Sequence, residues 1–201
     1  MKHLILVGPQ GSGKGTQARI LAEKQGYVIF ETGGALRALA KEGSDLGNKV
    51  AEIMNRGELV STELVMDIVR DFIEKNEGKK IIFDGIPRSR DQYDALMALF
   101  ETLALDYTVL SIEVPIEVCK ERMMKRVALE GRADDTPEAI EKRLEIFATK
   151  TKPLLDLWEA KGKVVAVNGH DTPENVDAEI AVKLQNHDKG TCCGCCCCGN
   201  K

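Results

Sequence analysis

A glycine-rich segment, residues 8–16, constrains the fold of this 201-residue chain more than any other part of its sequence. It reads Gly-Pro-Gln-Gly-Ser-Gly-Lys-Gly-Thr, follows the apolar run 4–7 and precedes residues 17–24, whose apolar positions recur at helical spacing. A strand, a glycine-rich turn and a helix in this order direct backbone N–H groups, a lysine and a helix N-terminus at one anion. The segment therefore predicts a polyphosphate-binding loop. One detail departs from the general pattern, in which Ser or Thr directly follows the lysine as a magnesium ligand, because Gly15 holds that position and Thr16 comes next.

Further apolar runs at residues 27–30, 81–84, 107–114 and 163–167 predict four more strands. The segments between the runs carry the apolar periodicity of helices, and strands that alternate with helices predict an α/β domain with a parallel sheet. Ligands of such sheets bind beyond the carboxyl ends of the strands, where Gly8, Thr32 and Asp84 would meet.

Capping residues divide the helical segments. Ser44 or Asp45 would begin a new helix after a break at residues 43–46, and Thr172 with Pro173 would begin the last helix. We predict helices over residues 33–56 with that break, 61–76, 90–105, about 115 to 161 with a pause at 131–137, and from 172 onward.

The composition is that of a globular domain, with 30% charged residues, 43% apolar residues and a formal net charge of −4. It gives no reason to expect a nucleic-acid partner. The apolar run before the phosphate loop is too short for a signal peptide, and no segment approaches the length of a membrane span. We therefore expect one cytoplasmic domain with no membrane partner.

The cysteines are concentrated at the end of the sequence. Six of the seven lie within residues 192–198, and only Cys119 lies in the body of the chain, which is expected to be reduced. Three interpretations of the tail, residues 189–201, stay open. It can be a disordered low-complexity extension, a soft-metal site built from clustered thiolates, or a lipidation site, although no adjacent apolar or basic segment supports the last.

Charged residues at predicted strand ends and on the later helical segments indicate phosphoryl-transfer chemistry. The carboxylate of Asp84, at the end of a strand, can bind a magnesium ion directly or through water. Several arginines are candidates for the phosphate oxygens, because planar guanidinium groups bind the charge that phosphoryl transfer spreads over them. These arginines are Arg37, Arg88, Arg122, Arg126, Arg132 and Arg143.

The sequence shows no pairing of a nucleophile with a base. His3, His170 and His187 are scattered along the chain, and we interpret all three as surface histidines. Their scatter fits an acceptor that is already anionic, such as a phosphate oxygen, because such an acceptor needs no general base.

The ordered motifs resemble those of the adenylate kinase family over about residues 1–185. The resemblance rests on the phosphate loop with its Gly-Lys-Gly-Thr-Gln ending and on a series of short motifs at family spacing. These are Thr32-Gly33 followed by Leu36-Arg37, residues 43–47, residues 57–60, Asp84-Gly85-Ile86-Pro87-Arg88 leading to Gln92, residues 131–135, Lys142-Arg143-Leu144 and Thr151-Lys152-Pro153-Leu154.

The resemblance implies a P-loop NTPase core, a five-stranded parallel sheet flanked by helices, in an adenylate kinase-like domain over residues 1–188. It also implies a helical insert for the nucleoside monophosphate at about residues 31–60, a short lid at about 127–137, and a monomer. The lid contains no cysteine, so we expect no zinc there. The implied reaction is the reversible, Mg²⁺-dependent transfer of the ATP γ-phosphoryl group to AMP, which yields two ADP.

The resemblance also implies roles for individual residues. Those implied to act in the transfer are Lys14, Arg88, Arg126, Arg132 and Arg143. Those implied to bind ATP are Gly11, Ser12, Gly13, Lys14, Gly15, Thr16, Arg122, Arg126 and Asp171. Those implied to bind AMP, with Gln92 at the adenine edge, are Thr32, Arg37, Glu58, Leu59, Val60, Gly85, Ile86, Pro87, Arg88, Gln92, Arg132 and Arg143.

The chain departs from the family pattern at the start of the implied insert. The family usually has Ser-Thr-Gly-Asp where this chain has Glu31-Thr32-Gly33-Gly34. The exchanged carboxylates would alter the electrostatic field near AMP, and Gly34 loosens the start of its helix. Two alternatives stay open. One is a kinase for UMP or CMP, against which Gln92 argues, and the other is a nucleotide-binding regulator without turnover, against which the number of arginines argues.

Overall fold

The computed structural model describes residues 2–130 and 136–190. In this part of the chain five parallel strands form one sheet in the order β2-β3-β1-β4-β5, which confirms the predicted α/β class. Arg132, the remainder of segment 131–135 and the cysteine tail lie outside the described residues. The strands are β1 (Lys2–Val7), β2 (Val28–Glu31), β3 (Ile81–Asp84), β4 (Asp106–Glu113) and β5 (Val164–Asn168).

Side-chain oxygens cap the starts of several helices. Oγ of Ser44, one of the two expected caps after the break at 43–46, accepts the N–H of Gly47 at 3.0 Å, and Oγ1 of Thr136 accepts the N–H of Ala139 at 3.2 Å. No helix within the described ranges is long and apolar enough to cross a membrane. The helices are α1 (Lys14–Gln25), α2 (Thr32–Lys41), α3 (Asp45–Asn55), α4 (Thr62–Lys75), α5 (Arg90–Thr102), α6 (Ile116–Glu130), α7 (Pro137–Ile146), α8 (Leu154–Glu159) and α9 (Pro173–Gly190).

The helices differ most clearly from the prediction in three places. Helix α5 ends at Thr102 rather than at residue 105, because Ala104 adopts a left-handed φ of 51° that no helix can continue through. Helix α6 extends to Glu130, so it includes residues assigned to the lid. The long helix expected to reach residue 161 is interrupted by a π-helical turn, Phe147–Thr151, before α8 begins.

The two faces of the sheet bury separate apolar clusters. Ile5 and Val7 of β1 point into a cluster with Phe83 and Trp158, whereas Leu4 and Leu6 point into the opposite cluster, against α1 and α9. Because both faces are covered, the strands read as nearly continuous apolar runs, which is why the sequence predicted them well. The two clusters hold the strand ends rigidly in register.

Strand register brings the start of the phosphate loop to the same edge as two carboxylates. Asp84 pairs with Leu6 of β1 on one side and with Glu31 of β2 on the other. Gly8 follows β1 directly, with a φ of 155°, and a Cβ at this position would lie 2.6 Å from the carbonyl oxygen of Ile112. Only glycine fits there, so the phosphate loop is packed tightly against β4.

His3 is a buried residue, so its interpretation as a surface histidine is wrong. It is 4% exposed, and its ring lies 6.3 Å from the rings of both Phe83 and Phe100. The ring nitrogen Nδ1 accepts the backbone N–H of Ile81 at 3.1 Å. Burial lowers the pKa of His3 below its ordinary value of 6.5, because the protonated ring would lose its hydration.

We expect His3→Asn to weaken the pH dependence of stability. Because the pKa is depressed in the folded state, the unfolded chain takes up the proton first as the pH falls. The contribution of neutral His3 to the free energy of unfolding is therefore complete above about pH 6.5 and is lost as the pH falls below that value. Asparagine retains an acceptor for Ile81 but cannot be protonated. Urea unfolding at several pH values should therefore give a shallower slope, by up to about 1.4 kcal/mol per pH unit, in the variant. Equal slopes in the variant and the wild type, or an equal change in a control His170→Asn at an exposed site, would contradict the assignment.

Candidate active site

A cleft of about 580 Å³ opens where the strands end, and it brings together most of the predicted site residues. Ile86 and Pro87 do not line it, because both are buried, and Ile86 lies in the core at 1% exposed. The predicted residues that line it are Gly11, Ser12, Gly13, Lys14, Gly15, Thr16, Thr32, Arg37, Glu58, Leu59, Val60, Asp84, Gly85, Arg88, Gln92, Arg122, Arg126, Arg143 and Asp171.

The phosphate loop ends in the first turn of α1. Gly13 caps this helix with a left-handed φ of 96°, and no side chain caps its first N–H groups, which stay available to an anion. Gly11 lies so close to α6 that a Cβ there would meet the carbonyl oxygen of Cys119 at 2.5 Å. The hydroxyl oxygen of Ser12 is buried and has no hydrogen-bond partner among the described residues. A buried polar group of this kind can bind a phosphate oxygen.

Lys14 is held by the loop itself. Its Nζ donates to the carbonyl oxygens of Gly8 and Pro9, each at 2.8 Å. Burial lowers the pKa of Lys14 from 10.5 to about 8, and the positive charges of Arg88 and Arg126 contribute while Asp84 opposes the shift. An anion that contacts this amine would restore its affinity for the proton.

Asp84 has the carboxylate and the position that suit a ligand of Mg²⁺. It is 8% exposed, and burial raises the pKa of its carboxyl, with Lys14 and Arg88 opposing the shift. Its Oδ2 lies 3.7 Å from the position that a Cβ on Gly15 would take, so it faces the phosphate loop. Among the described residues no three His, Cys, Asp or Glu side chains cluster as metal ligands. One carboxylate beside a phosphate loop suits Mg²⁺, which takes its other ligands from phosphate and water.

Three hydrogen bonds hold Arg88, one at its side chain and two at its backbone. Its Nε donates to the carbonyl oxygen of Gly85 at 2.8 Å, and its backbone N–H donates to Oε1 of Gln92 at 2.9 Å. The hydroxyl of Thr151, in the π-helical turn, donates to the Arg88 carbonyl at 2.9 Å. Gly85 has a φ of 89°, and a Cβ there would lie 2.7 Å from the guanidinium, so glycine is required for this arrangement.

Burial lowers the pKa of Arg88, and the guanidinium groups of Arg143 and Arg37 add to this effect. The carboxylates of Asp84 and Glu31 act in the opposite direction. Three cations and two anions therefore lie within electrostatic reach of one another at this wall of the cleft. Such a cluster attracts a doubly charged phosphate.

Arg37 and Arg143 reach this wall from different elements. Arg37, on α2, donates from Nη2 to Oε1 of Glu31 at 2.7 Å. Arg143, on α7, donates to the carbonyl oxygen of Met54 at 3.4 Å, and a Cβ on Gly57 would lie 2.7 Å from the carbonyl oxygen of Ala139. The segment that was expected to bind the monophosphate therefore contacts α7 directly.

The opposite wall is formed by α6 and the loop after β5. Arg122 donates from Nη1 to the carbonyl oxygen of Gly169 at 3.2 Å. Asp171 is exposed and accepts the N–H of Thr172 at 2.6 Å, a contact that lowers the pKa of this carboxyl. Nε2 of Gln17 donates to the carbonyl oxygen of Pro173 at 2.9 Å, which ties α1 to the start of α9.

Sequence reasoning missed several residues at the site, of which Arg19 and Thr151 are polar. Arg19 lines the cleft, and its Nη1 lies 3.8 Å from the Cβ position of Gly15. Its place on α1, five residues after Lys14, is a signal that could have indicated it. Thr151 was noted only as part of a motif, and its contact with Arg88 depends on a π-helical turn that no periodicity in the sequence reveals.

A phosphate loop and a cluster of arginines that share one cleft, at the carboxyl edge of a parallel sheet, define a P-loop phosphotransferase. A model of the family "Adenylate kinase" matches residues 6–163. The adenylate kinase of Bifidobacterium longum (strain NCC 2705) is 42% identical over 186 residues, 91% of this chain and 100% of that protein. Those of Thermus thermophilus (strain ATCC 27634) and Bacteroides fragilis (strain YCH46) are 40% and 37% identical over 182 residues, 90% of this chain and 96% of each relative. The chain belongs to the adenylate kinase family, enzymes that transfer a phosphoryl group between ATP and AMP to give ADP.

The depressed pKa of Lys14 predicts pH-dependent nucleotide binding. The dissociation constant for Mg·ATP should rise as the pH passes about 8, by up to tenfold per pH unit, because the neutral amine no longer attracts phosphate. Lys14→Arg stays charged, so its dissociation constant should be nearly independent of pH in this range even if binding is weaker overall. Calorimetric titration between about pH 7.5 and 9.5 measures both. A flat profile in the wild type, or parallel profiles in the two proteins, would refute this role of the lysine.

Proposed function

We propose that the chain catalyses the reversible Mg²⁺-dependent transfer of the ATP γ-phosphoryl group to AMP, with the phosphate loop and the arginines acting in one cleft. The observation that supports the proposal is that the phosphate loop lines the same cleft as three arginines. The cleft has a volume of about 580 Å³, and the arginines are Arg88, Arg126 and Arg143. A donor phosphate on the loop and an acceptor phosphate on the arginines would be brought together in line, and positioning of this kind supplies much of the rate of phosphoryl transfer.

On the donor side, the loop N–H groups, the Ser12 hydroxyl and Lys14 would bind the ATP phosphates. Lys14 would exchange its carbonyl contacts with Gly8 and Pro9 for the β- and γ-phosphate oxygens. Arg122 would lie against the adenine, near the loop that contains Asp171. Mg²⁺, held by Asp84 directly or through water and by the phosphates, supplies charge neutralisation and orientation when it is bound.

On the acceptor side, Arg37 and Arg88 would bind the AMP phosphate, and Arg143 with Arg126 would stabilise the charge on the transferred group. Gln92 supports adenine as the base. Because its Oε1 already accepts the Arg88 N–H, its Nε2 amide is the donor that can face the base. The N1 atom of adenine accepts a hydrogen bond, whereas N1 of guanine carries a proton.

The proposal includes a division of labour along the chain. Residues 31–60 would move as the monophosphate-binding insert, and residues 127–137, with Arg132, would close as a lid. Closure excludes water, which would otherwise compete with AMP for the phosphoryl group. The contact of Arg143 with Met54 supports a direct link between the insert and the helix that follows the lid.

The function is tested by ADP formation from Mg·ATP with AMP, GMP, UMP or CMP as acceptor. We expect rapid turnover with AMP, and we expect Arg88→Ala to lower kcat/KM for AMP by about 100-fold to 1,000-fold, because a preorganised charge donor is lost. Arg90→Ala is the matched control, since Arg90 is exposed and paired with Asp94 at 2.9 Å. Turnover with another acceptor in place of AMP would reassign the base, and nucleotide binding without turnover would favour the regulator.

Recognition of the base has a sharper test. Gln92→Glu keeps an acceptor for the Arg88 N–H but replaces the amide donor with a second acceptor. The variant should therefore favour a base with a protonated N1, and the ratio of kcat/KM for AMP to that for IMP should fall by about tenfold or more. Both acceptors carry the same phosphate, so any effect of the new charge on phosphate binding cancels in the ratio. An unchanged ratio would show that Gln92 does not contact the base of the acceptor.

Three further parts of the proposal rest on the sequence. They are a monomeric state, a cytoplasmic location and a lid without zinc.

The role of the tail can be tested by truncation. If its thiolates bind a soft metal, a protein that ends at residue 190 should lose metal that the full chain retains, as measured by elemental analysis. Equal metal content in the two proteins would exclude that role.

A further inference from the structure

Glu31 interacts with one of the two arginines that the proposed function assigns to the acceptor phosphate. Its Oε1 lies 2.7 Å from Nη2 of Arg37, so the guanidinium already binds a carboxylate in this structure. Glu31 is the last residue of β2 and pairs in register with Asp84, which places it on the wall of the cleft. An acceptor phosphate that binds Arg37 in the same way must displace this carboxylate.

The local backbone gives the Glu31 side chain room to adopt this position. It immediately precedes α2, and the side chain folds back over the first turn of that helix. A Cβ on Gly34 would lie 3.4 Å from Oε2 of Glu31, an ordinary contact, so residue 34 lies beside the carboxylate without obstructing it. The carboxylate also lies near the positive end of the α2 dipole, which favours an anion there.

Breaking the Glu31–Arg37 ion pair costs little free energy. The side chains of Glu31 and Arg37 are 46% and 27% exposed, so water can replace either partner when they separate. Exposed ion pairs contribute little to stability. When a phosphate takes its place on Arg37, the carboxylate has to turn toward solvent to avoid repulsion between like charges.

We propose that Glu31 acts as an internal competitor of the acceptor phosphate for Arg37 and so sets the affinity for the acceptor, a role that rests on the proposed function. It lowers the affinity for AMP, and it restores the Glu31–Arg37 contact when the product leaves. An alternative role, in which Glu31 positions Arg37 for the phosphate, predicts the opposite sign. The two roles are therefore distinguishable by one substitution.

The test is the dissociation constant of AMP by calorimetry, together with KM for AMP and for ATP, in wild type, Glu31→Gln and Glu31→Ser. We expect both variants to bind AMP roughly 3–10-fold more tightly and to lower KM for AMP to the same extent, with KM for ATP unchanged. The difference from wild type should shrink as salt rises from about 0.02 M to about 0.3 M, because the competition is electrostatic. Glu42→Gln, an exposed carboxylate at the other end of α2, is the control and should behave as wild type.

Weaker or unchanged binding of AMP in both variants overturns the inference, and weaker binding would assign Glu31 the positioning role. Thermal unfolding of each variant excludes a general loss of structure as the cause. A wild-type protein that binds AMP but forms no ADP overturns the proposed function instead. Calorimetry still decides the inference in that case, because it requires no turnover.

Discussion

The site depends on keeping positive charge at a partly buried edge of the sheet. Burial lowers the pKa of both Lys14 and Arg88, so each charge is held against a loss of hydration. Such charges are tolerated only when hydrogen bonds compensate for the lost water. The carbonyl oxygens of Gly8 and Pro9 compensate Lys14, and that of Gly85 compensates Arg88. Because these acceptors belong to the backbone, the cations are already oriented when phosphate oxygens arrive.

The parallel sheet explains how residues that are distant in sequence form this edge. Gly8, Glu31 and Asp84 each end or follow a different strand, and the register of β1, β2 and β3 sets their spacing. That register is fixed by apolar side chains on both faces, such as Leu6 and Phe83, rather than by the charged residues themselves. The hydrophobic core therefore offsets the energetic cost of assembling the site, and the polar residues are free to be selected for chemistry.

Local patterns predicted the parts of the structure that local physics decides. The phosphate loop, the strands and the cap at Ser44 follow from glycine spacing, apolar runs and a side-chain oxygen at a helix start. The end of α5 at Thr102 and the burial of His3 could not be predicted in this way. A left-handed residue after a helix leaves little trace in the sequence, and the environment of His3, near the start of β1, depends on aromatic residues from β3 and α5.

The contacts within the site could not be predicted from the sequence, although most of the predicted site residues do line the cleft. The motifs named Arg37, Arg88 and Gln92, yet nothing in them indicated that Oε1 of Gln92 is occupied by a backbone N–H or that Arg37 binds Glu31. Such contacts depend on rotamers that are chosen only when several elements pack together. Thr151 is the clearest case, because its hydroxyl reaches Arg88 from a π-helical turn 63 residues further along the chain.

Arg37 and Arg88 are held in different ways, and the difference has a physical consequence under the proposed function. The Arg88 side chain donates to the Gly85 carbonyl and the Arg88 backbone is held by Gln92 and Thr151, so the guanidinium loses little conformational freedom when a phosphate binds. Arg37 binds a carboxylate at the surface, and only a ligand with comparable negative charge can take that place. A nucleoside without a phosphate could occupy the region near Gln92 and still leave Arg37 with Glu31. Arg37 would then leave Glu31 only when the charged group that the reaction requires is present, and this exchange of ion-pair partners would lower the net affinity for the acceptor phosphate.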